Sequence, residues 1–216
     1  MPVSQFGEPK GPRGWLAAQV VARLTGEANR WMVDLLEVGP GDRMLDVGCG
    51  PGLALADAAG RGSRAVGVDA SPTMVRLAGR RNRAAIRRGR VEVHQADATH
   101  LPFPDASFNA VGTLNSLQFW ADQERGLAEL HRVLEPGGRV AVVLMARSDD
   151  PDGTPPPPWV VETLTGLHGA GFSGVQVASR SFGGVLHRAL LGYRQEKESG
   201  APLDPTADGV RKGADP

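Results

Sequence analysis

Arg43-Met44-Leu45-Asp46-Val47-Gly48-Cys49-Gly50-Pro51-Gly52 is the stretch whose reading decides the fold. Five residues of β-forming character run into three glycines at alternate positions, and Leu53 to Ala59 then follows with helical character. A buried strand that turns through glycine into a helix is the opening of a βαβ unit. The pattern repeats outward from it. Arg64 to Val68 reads as a strand and Pro72 to Ala85 as a helix, with Ser71 as its N-cap and Pro72 at its first position. Val91 to Gln95 and Phe108 to Thr113 read as strands, Gln123 to Leu134 as a helix closed by Pro136-Gly137-Gly138, and Arg139 to Met145 as a strongly apolar strand. Trp159 to His168 is helical, and Gly174 to Phe182 with Val185 to Tyr193 form two strands joined by Gly183-Gly184. Strands alternating with helices of this length predict a doubly wound α/β fold with a mostly parallel sheet and a terminal antiparallel hairpin.

The flanks differ in kind. From Trp15 to Leu36 apolar residues recur at helical spacing, with Thr25-Gly26 as a break between two helices. Asp149 to Pro158 contains four consecutive prolines, which lack donor N–H groups and predict an extended connector. Residues 195–216 carry almost no apolar anchor and are read as a disordered tail. The expected organisation is one domain: cap helices over 1–37, a catalytic body over 38–194, and the tail.

Composition narrows the function. The 216 residues are 41% apolar and 22% charged, and no apolar run approaches the roughly 20 residues of a membrane span. The 24 basic and 24 acidic side chains cancel, which disfavours a nucleic-acid partner or an anionic bilayer. The single cysteine, Cys49, excludes an internal disulfide, and with no apolar signal core at the N-terminus the cytoplasm is the expected location. Seven arginines between Arg76 and Arg90 are read as a solvated helix face.

In a doubly wound sheet, ligands bind beyond the carboxyl ends of the strands. Here Asp46 begins the glycine turn, Asp69 ends the second strand 23 residues later, and Asp97 ends the third. An acid at that distance suits the two hydroxyls of a ribose held against the turn. Three carboxylates on one edge require donors, which a nucleoside with an amino group supplies. A dinucleotide fits less well. The G-x-G-x-x-G spacing counted from Gly48 and Gly50 places a glycine where Leu53 stands, and Asp46 repels a pyrophosphate while suiting a cationic ligand end.

These residues resemble the class I S-adenosylmethionine-dependent methyltransferases, in particular their type 11 small-molecule group. The resemblance covers about Gly41 to Arg147 and rests on residues 45–52, 66–71, 96–108 and 132–138. It implies the strand order 3-2-1-4-5-7-6 with the last strand antiparallel, and a helical cap, here Phe6 to Trp31, that supplies acceptor contacts. It implies S-adenosylmethionine as cofactor, with Gly48, Gly50 and Gly52 beneath it and Asp46 holding the methionine ammonium. Asp69 would bind the ribose, Ala70 and Met74 would pack on the adenine, Asp97 would accept from its amine, and the Ala98 N–H would meet a ring nitrogen. Asn115, at the end of the fourth strand, would line the crevice near the methyl group. The implied reaction is direct displacement by an O, N or C nucleophile of a small-molecule acceptor. The rival reading is a non-catalytic S-adenosylmethionine-binding module acting through a partner.

No residue is assigned as a base. His100, Asn115 and Trp120 are the acceptor-side candidates, while His187 is read as a strand residue and Cys49 as a small core residue. The histidines have no metal-ligand spacing, so no metal is expected. Neither acceptor nor oligomeric state is legible.

Overall fold

In the computed structural model, residues 25–146 and 157–196 are described. The first 24 residues, 147–156 and 197–216 lie outside them, and with these most of the expected cap, the proline connector and the tail.

The strands are β1 (Arg43–Val47), β2 (Arg64–Asp69), β3 (Val91–Gln95), β4 (Phe108–Leu114), β5 (Leu134–Met145), β6 (Phe172–Phe182) and β7 (Val185–Arg194). They form one seven-stranded sheet in the order β3-β2-β1-β4-β5-β7-β6, as the resemblance implied. The pairs β1–β2, β2–β3, β1–β4 and β4–β5 are parallel, and β7 runs antiparallel to both β5 and β6.

The described helices are α1 (25–35), α2 (Leu53–Gly60), α3 (Pro72–Arg81), α4 (Arg83–Arg87), α5 (Gln123–Val133) and α6 (Pro158–Gly169). They cover both faces because the central strands are apolar on both. On one face Trp31, Met32 and Leu36 from the α1 region pack with Leu55, Ala58 and Ala78 against Met44, Ala110, Val143 and Ala189. On the other, Leu127, Leu130 and Leu167 pack against Leu45, Val111, Val142 and Leu190. Gly112 lets α1 approach β4, since a Cβ there would lie 2.9 Å from Met32 Sδ. Among the described residues no helix is long and apolar enough to cross a membrane.

Three expectations differ in detail. Thr25 and Gly26 are helical rather than a break, and the residues before them are outside the described set. The single helix expected over 72–85 divides at Asn82, whose buried side chain donates to Gly52 O and Ala78 O. The backbone turns there because this amide ties the helix to the glycine turn. The segment Pro136-Gly137-Gly138 belongs to an irregular start of β5, where the register jumps from Phe108↔Leu134 to Ala110↔Arg139.

Candidate functional site at the carboxyl edge of the sheet

The glycine bend leaves β1 with Gly48, Gly50 and Gly52 at φ of 74°, 52° and 75°, a left-handed region that side chains disfavour. Two of these positions are also crowded. A Cβ on Gly48 would fall 1.9 Å from Ser116 Oγ, and one on Gly52 would fall 2.6 Å from Asn82 Nδ2. The bend is thus pressed between the end of β4 and the C-terminal end of α3.

Asp69 organises this bend. Its Oδ2 accepts from the Gly50 N–H at 2.9 Å and its Oδ1 from the Ser71 N–H at 2.9 Å. Burial pushes its carboxyl up, against those two backbone donors. An ionised carboxylate has about four acceptor positions, so each oxygen keeps one lone pair for a ligand. Ser71 is the N-cap residue of α3 but makes no side-chain cap, and its backbone N–H is held by Asp69.

Asp46 is in a different condition. It is 2% exposed, and its Oδ2 is buried with no hydrogen-bond partner among the described residues. Its neighbours in the sheet register are Gly67 on β2 and Gly112 on β4, which offer no side-chain donor. Burial first, and the Asp69 charge second, raise its carboxyl to about 7. Cys49 beside it is buried, and burial with the same two carboxylates holds its thiol well above the ordinary value. That thiol is a core residue, not a nucleophile.

The third carboxylate departs from expectation. β3 ends at Gln95, and Asp97 is exposed in the loop beyond it. Its Oδ1 accepts from the Thr99 N–H at 2.8 Å and the Thr99 hydroxyl at 2.6 Å, contacts that hold its carboxyl below the usual value. The need of three buried carboxylates for outside donors is therefore not what the edge shows. Asp69 and Asp97 find donors within the protein, and only Asp46 lacks one. Ala98 is buried, Met74 half-buried and Ala70 exposed on the same edge.

The acceptor-side candidates are each engaged. Asn115 has φ 52°, and its Oδ1 accepts from the Met145 N–H at 2.6 Å, which ties the ends of β4 and β5 together. Trp120 packs on α5, where a Cβ on Gly126 would fall 2.3 Å from the indole, and its Nε1–H donates to Ser116 Oγ at 3.0 Å. His100 is exposed, with Nδ1 3.2 Å from Arg125 Nη2. Sequence reasoning missed Asn82, whose signal was only that a small polar residue faces a glycine turn from a distant position. Among the described residues no group of three or more His, Cys, Asp or Glu could hold a metal ion.

Over residues 45–142 the sequence matches the family described as Methyltransferase domain. Residues 45–142 thus carry a domain similar to the S-adenosylmethionine-dependent methyltransferases.

Among relatives of this methyltransferase, the uncharacterized methyltransferase YdaC of Bacillus subtilis is 26% identical over 164 residues, 75% of this chain and 88% of that protein. The demethylmenaquinone methyltransferase of Thermus thermophilus is 41% identical over 136 residues, 60% of this chain and 56% of that protein, so the chain spans little more than half of it. A solved S-adenosylmethionine-dependent methyltransferase from Aquifex aeolicus shares the fold at a TM-score of 0.66 and 20% identity, over 83% of this chain and 97% of that one. The methyltransferase's edge fits its cofactor chemically: a bend without side chains, a carboxylate with free lone pairs at Asp69, and a buried acceptor at Asp46 awaiting a donor.

Proposed function

We propose that this methyltransferase acts on a small-molecule acceptor at an O, N or C nucleophile, with its body over 38–194 and the segment 1–37 as part of the same domain. The observation that carries the cofactor placement is the donorless Oδ2 of Asp46, one strand from Asp69. A buried acceptor of this kind is costly unless a ligand supplies the donor, and the methionine ammonium is such a donor. Gly48, Gly50 and Gly52 then admit the cofactor backbone, Asp69 receives the ribose hydroxyls with its spare lone pairs, and Ala70 and Met74 flank the adenine. Asp97 receives the adenine amine and the Ala98 N–H a ring nitrogen. Asn115 lines the crevice where the acceptor enters.

The cofactor supplies a methyl group on a sulfonium, already a good leaving group. The protein's work is therefore to align the acceptor and keep water out. This agrees with the engaged state of Asn115, Trp120 and His100, which favours positioning over proton abstraction. A metabolite-sized acceptor is supported by the demethylmenaquinone relative and by the two-glycine turn between β6 and β7, which adds little surface.

Calorimetry with S-adenosylmethionine, followed by mass spectrometry of a metabolite extract incubated with protein and cofactor, tests the reading. The expected result is cofactor binding and one metabolite heavier by a methyl group. Binding without any methylated product favours the non-catalytic module, and no binding removes the proposal.

A further inference from the structure

His187 is a buried side chain that the cofactor site leaves without a role. It is 2% exposed on β7, and its Nδ1 lies 3.1 Å from Val185 O. A carbonyl only accepts, so Nδ1 carries the hydrogen and Nε2 of the neutral ring keeps its lone pair. That Nε2 is buried and has no hydrogen-bond partner among the described residues. Like Asp46 Oδ2, it is an acceptor for which the described residues provide no donor.

The register places it at the working edge. β7 is antiparallel, so its first residues lie beside the carboxyl end of β5, and His187 stands directly opposite Met145. Opposed residues of an antiparallel pair share a face. The Met145 N–H is the one that Asn115 Oδ1 holds. From Asn115 just beyond β4, across β5, to His187 on β7 is thus two strand spacings, about 10 Å, the span of a small ring-bearing molecule.

The surroundings are apolar. The His187 ring meets Phe182 edge to face at 5.5 Å, and Phe182 meets Trp31 in the same manner at 5.7 Å. Met145, directly opposite His187, is 53% exposed and has an unbranched, adaptable side chain. The cross-strand neighbour on β6 is Arg180, whose guanidinium lies 5.3 Å over the Phe182 ring. A cationic donor would be repelled by it, and a carboxylate would have no hydrogen to give.

We propose that His187 Nε2 is the hydrogen-bond acceptor for a neutral hydroxyl on an apolar, ring-bearing methyl acceptor, bound between Met145 and the Trp31–Phe182 pair. The proposal rests on the methyltransferase reading and narrows its acceptor to a phenol-like class. It makes His187 a residue that determines specificity.

The test uses the full chain saturated with S-adenosylhomocysteine, and two probes, 1-naphthol and 1-methoxynaphthalene, which differ in the hydroxyl hydrogen. With histidine labelled in nitrogen-15, His187→Asn assigns the His187 resonances. The expected result is that 1-naphthol binds about tenfold more tightly than its methyl ether, the worth of one neutral hydrogen bond, and moves the His187 Nε2 resonance while the ether does not. His187→Phe abolishes the preference, and His187→Gln, which keeps an acceptor oxygen, retains part of it. Equal affinity for the probes, no binding of 1-naphthol, or resonance shifts confined to other histidines would overturn the proposal. Those measurements on the parent decide the matter even where a variant fails to fold. S-adenosylhomocysteine affinity is read separately in each protein, so failure of the cofactor site is distinguishable from failure at His187.

Discussion

Asp46→Asn replaces a buried acid by its neutral isostere, and the burial of that acid sets both the sign and the size of the effect. Burial, and secondarily Asp69, raise this carboxyl from 3.8 to about 7 in the folded protein. Between those values the unfolded chain has released a proton that the folded chain still holds. The contribution of Asp46 to the stability of the cofactor-free protein therefore falls as pH rises from about 4 to about 7, by about 4 kcal/mol at 1.36 kcal/mol per pH unit. The Asn variant loses this contribution, so its urea midpoint should exceed the parent's at pH 7 and converge with it near pH 4. Cofactor binding should show the complementary signature. Pairing with a cationic ammonium ionises Asp46, so a carboxyl near 7 releases about 0.9 proton at pH 6, about half a proton at pH 7 and almost none at pH 8.5. Calorimetry in buffers of different ionisation enthalpy counts those protons. A parent that releases none at pH 6, or an Asp46→Asn variant that releases as many as the parent, would refute the pairing of this carboxyl with the ammonium.

The remaining predictions concern the bend. Asp69→Ala should weaken cofactor binding by about 2–4 kcal/mol through loss of two charge-assisted hydrogen bonds, measured by calorimetry. It should also lower the melting temperature, because the same carboxylate holds the Gly50 and Ser71 amides; an unchanged affinity would show that the ribose lies elsewhere. Gly48→Ala introduces a Cβ at φ 74° and 1.9 Å from Ser116 Oγ, and should cost at least the 1–2 kcal/mol or so of left-handed backbone strain, read by urea unfolding. Adding Ser116→Gly should restore the part due to the collision but not the strain, and a double variant no better than the single one would contradict this packing.

How much of the site was legible depended on the range of each interaction. The glycine bend and Asp69 could be found because their constraint is local: a strand turning tightly into a helix needs positive φ at named positions, and the acid lies one βα unit downstream. The spacing of Asp97 indicated the edge it reaches but not that Thr99, two residues away, would donate to it. Trp120 was ambiguous because an aromatic after a strand has two uses, and only the bare Gly126 backbone of α5 shows which one fills its face.

The linear order of residues by itself determined the doubly wound architecture, since hydrophobic periodicity and glycine punctuation act over a few residues and leave few ways to cover a sheet on both faces. Tertiary structure alone decided which polar groups are satisfied. The sequence placed Asp46 at the start of the bend and His187 on a strand, but that they find no donor among the described residues follows only from the distant strands, helices and glycines that close over them. Burial and hydrogen-bond pairing are properties of the assembled neighbourhood, and no local pattern encodes them.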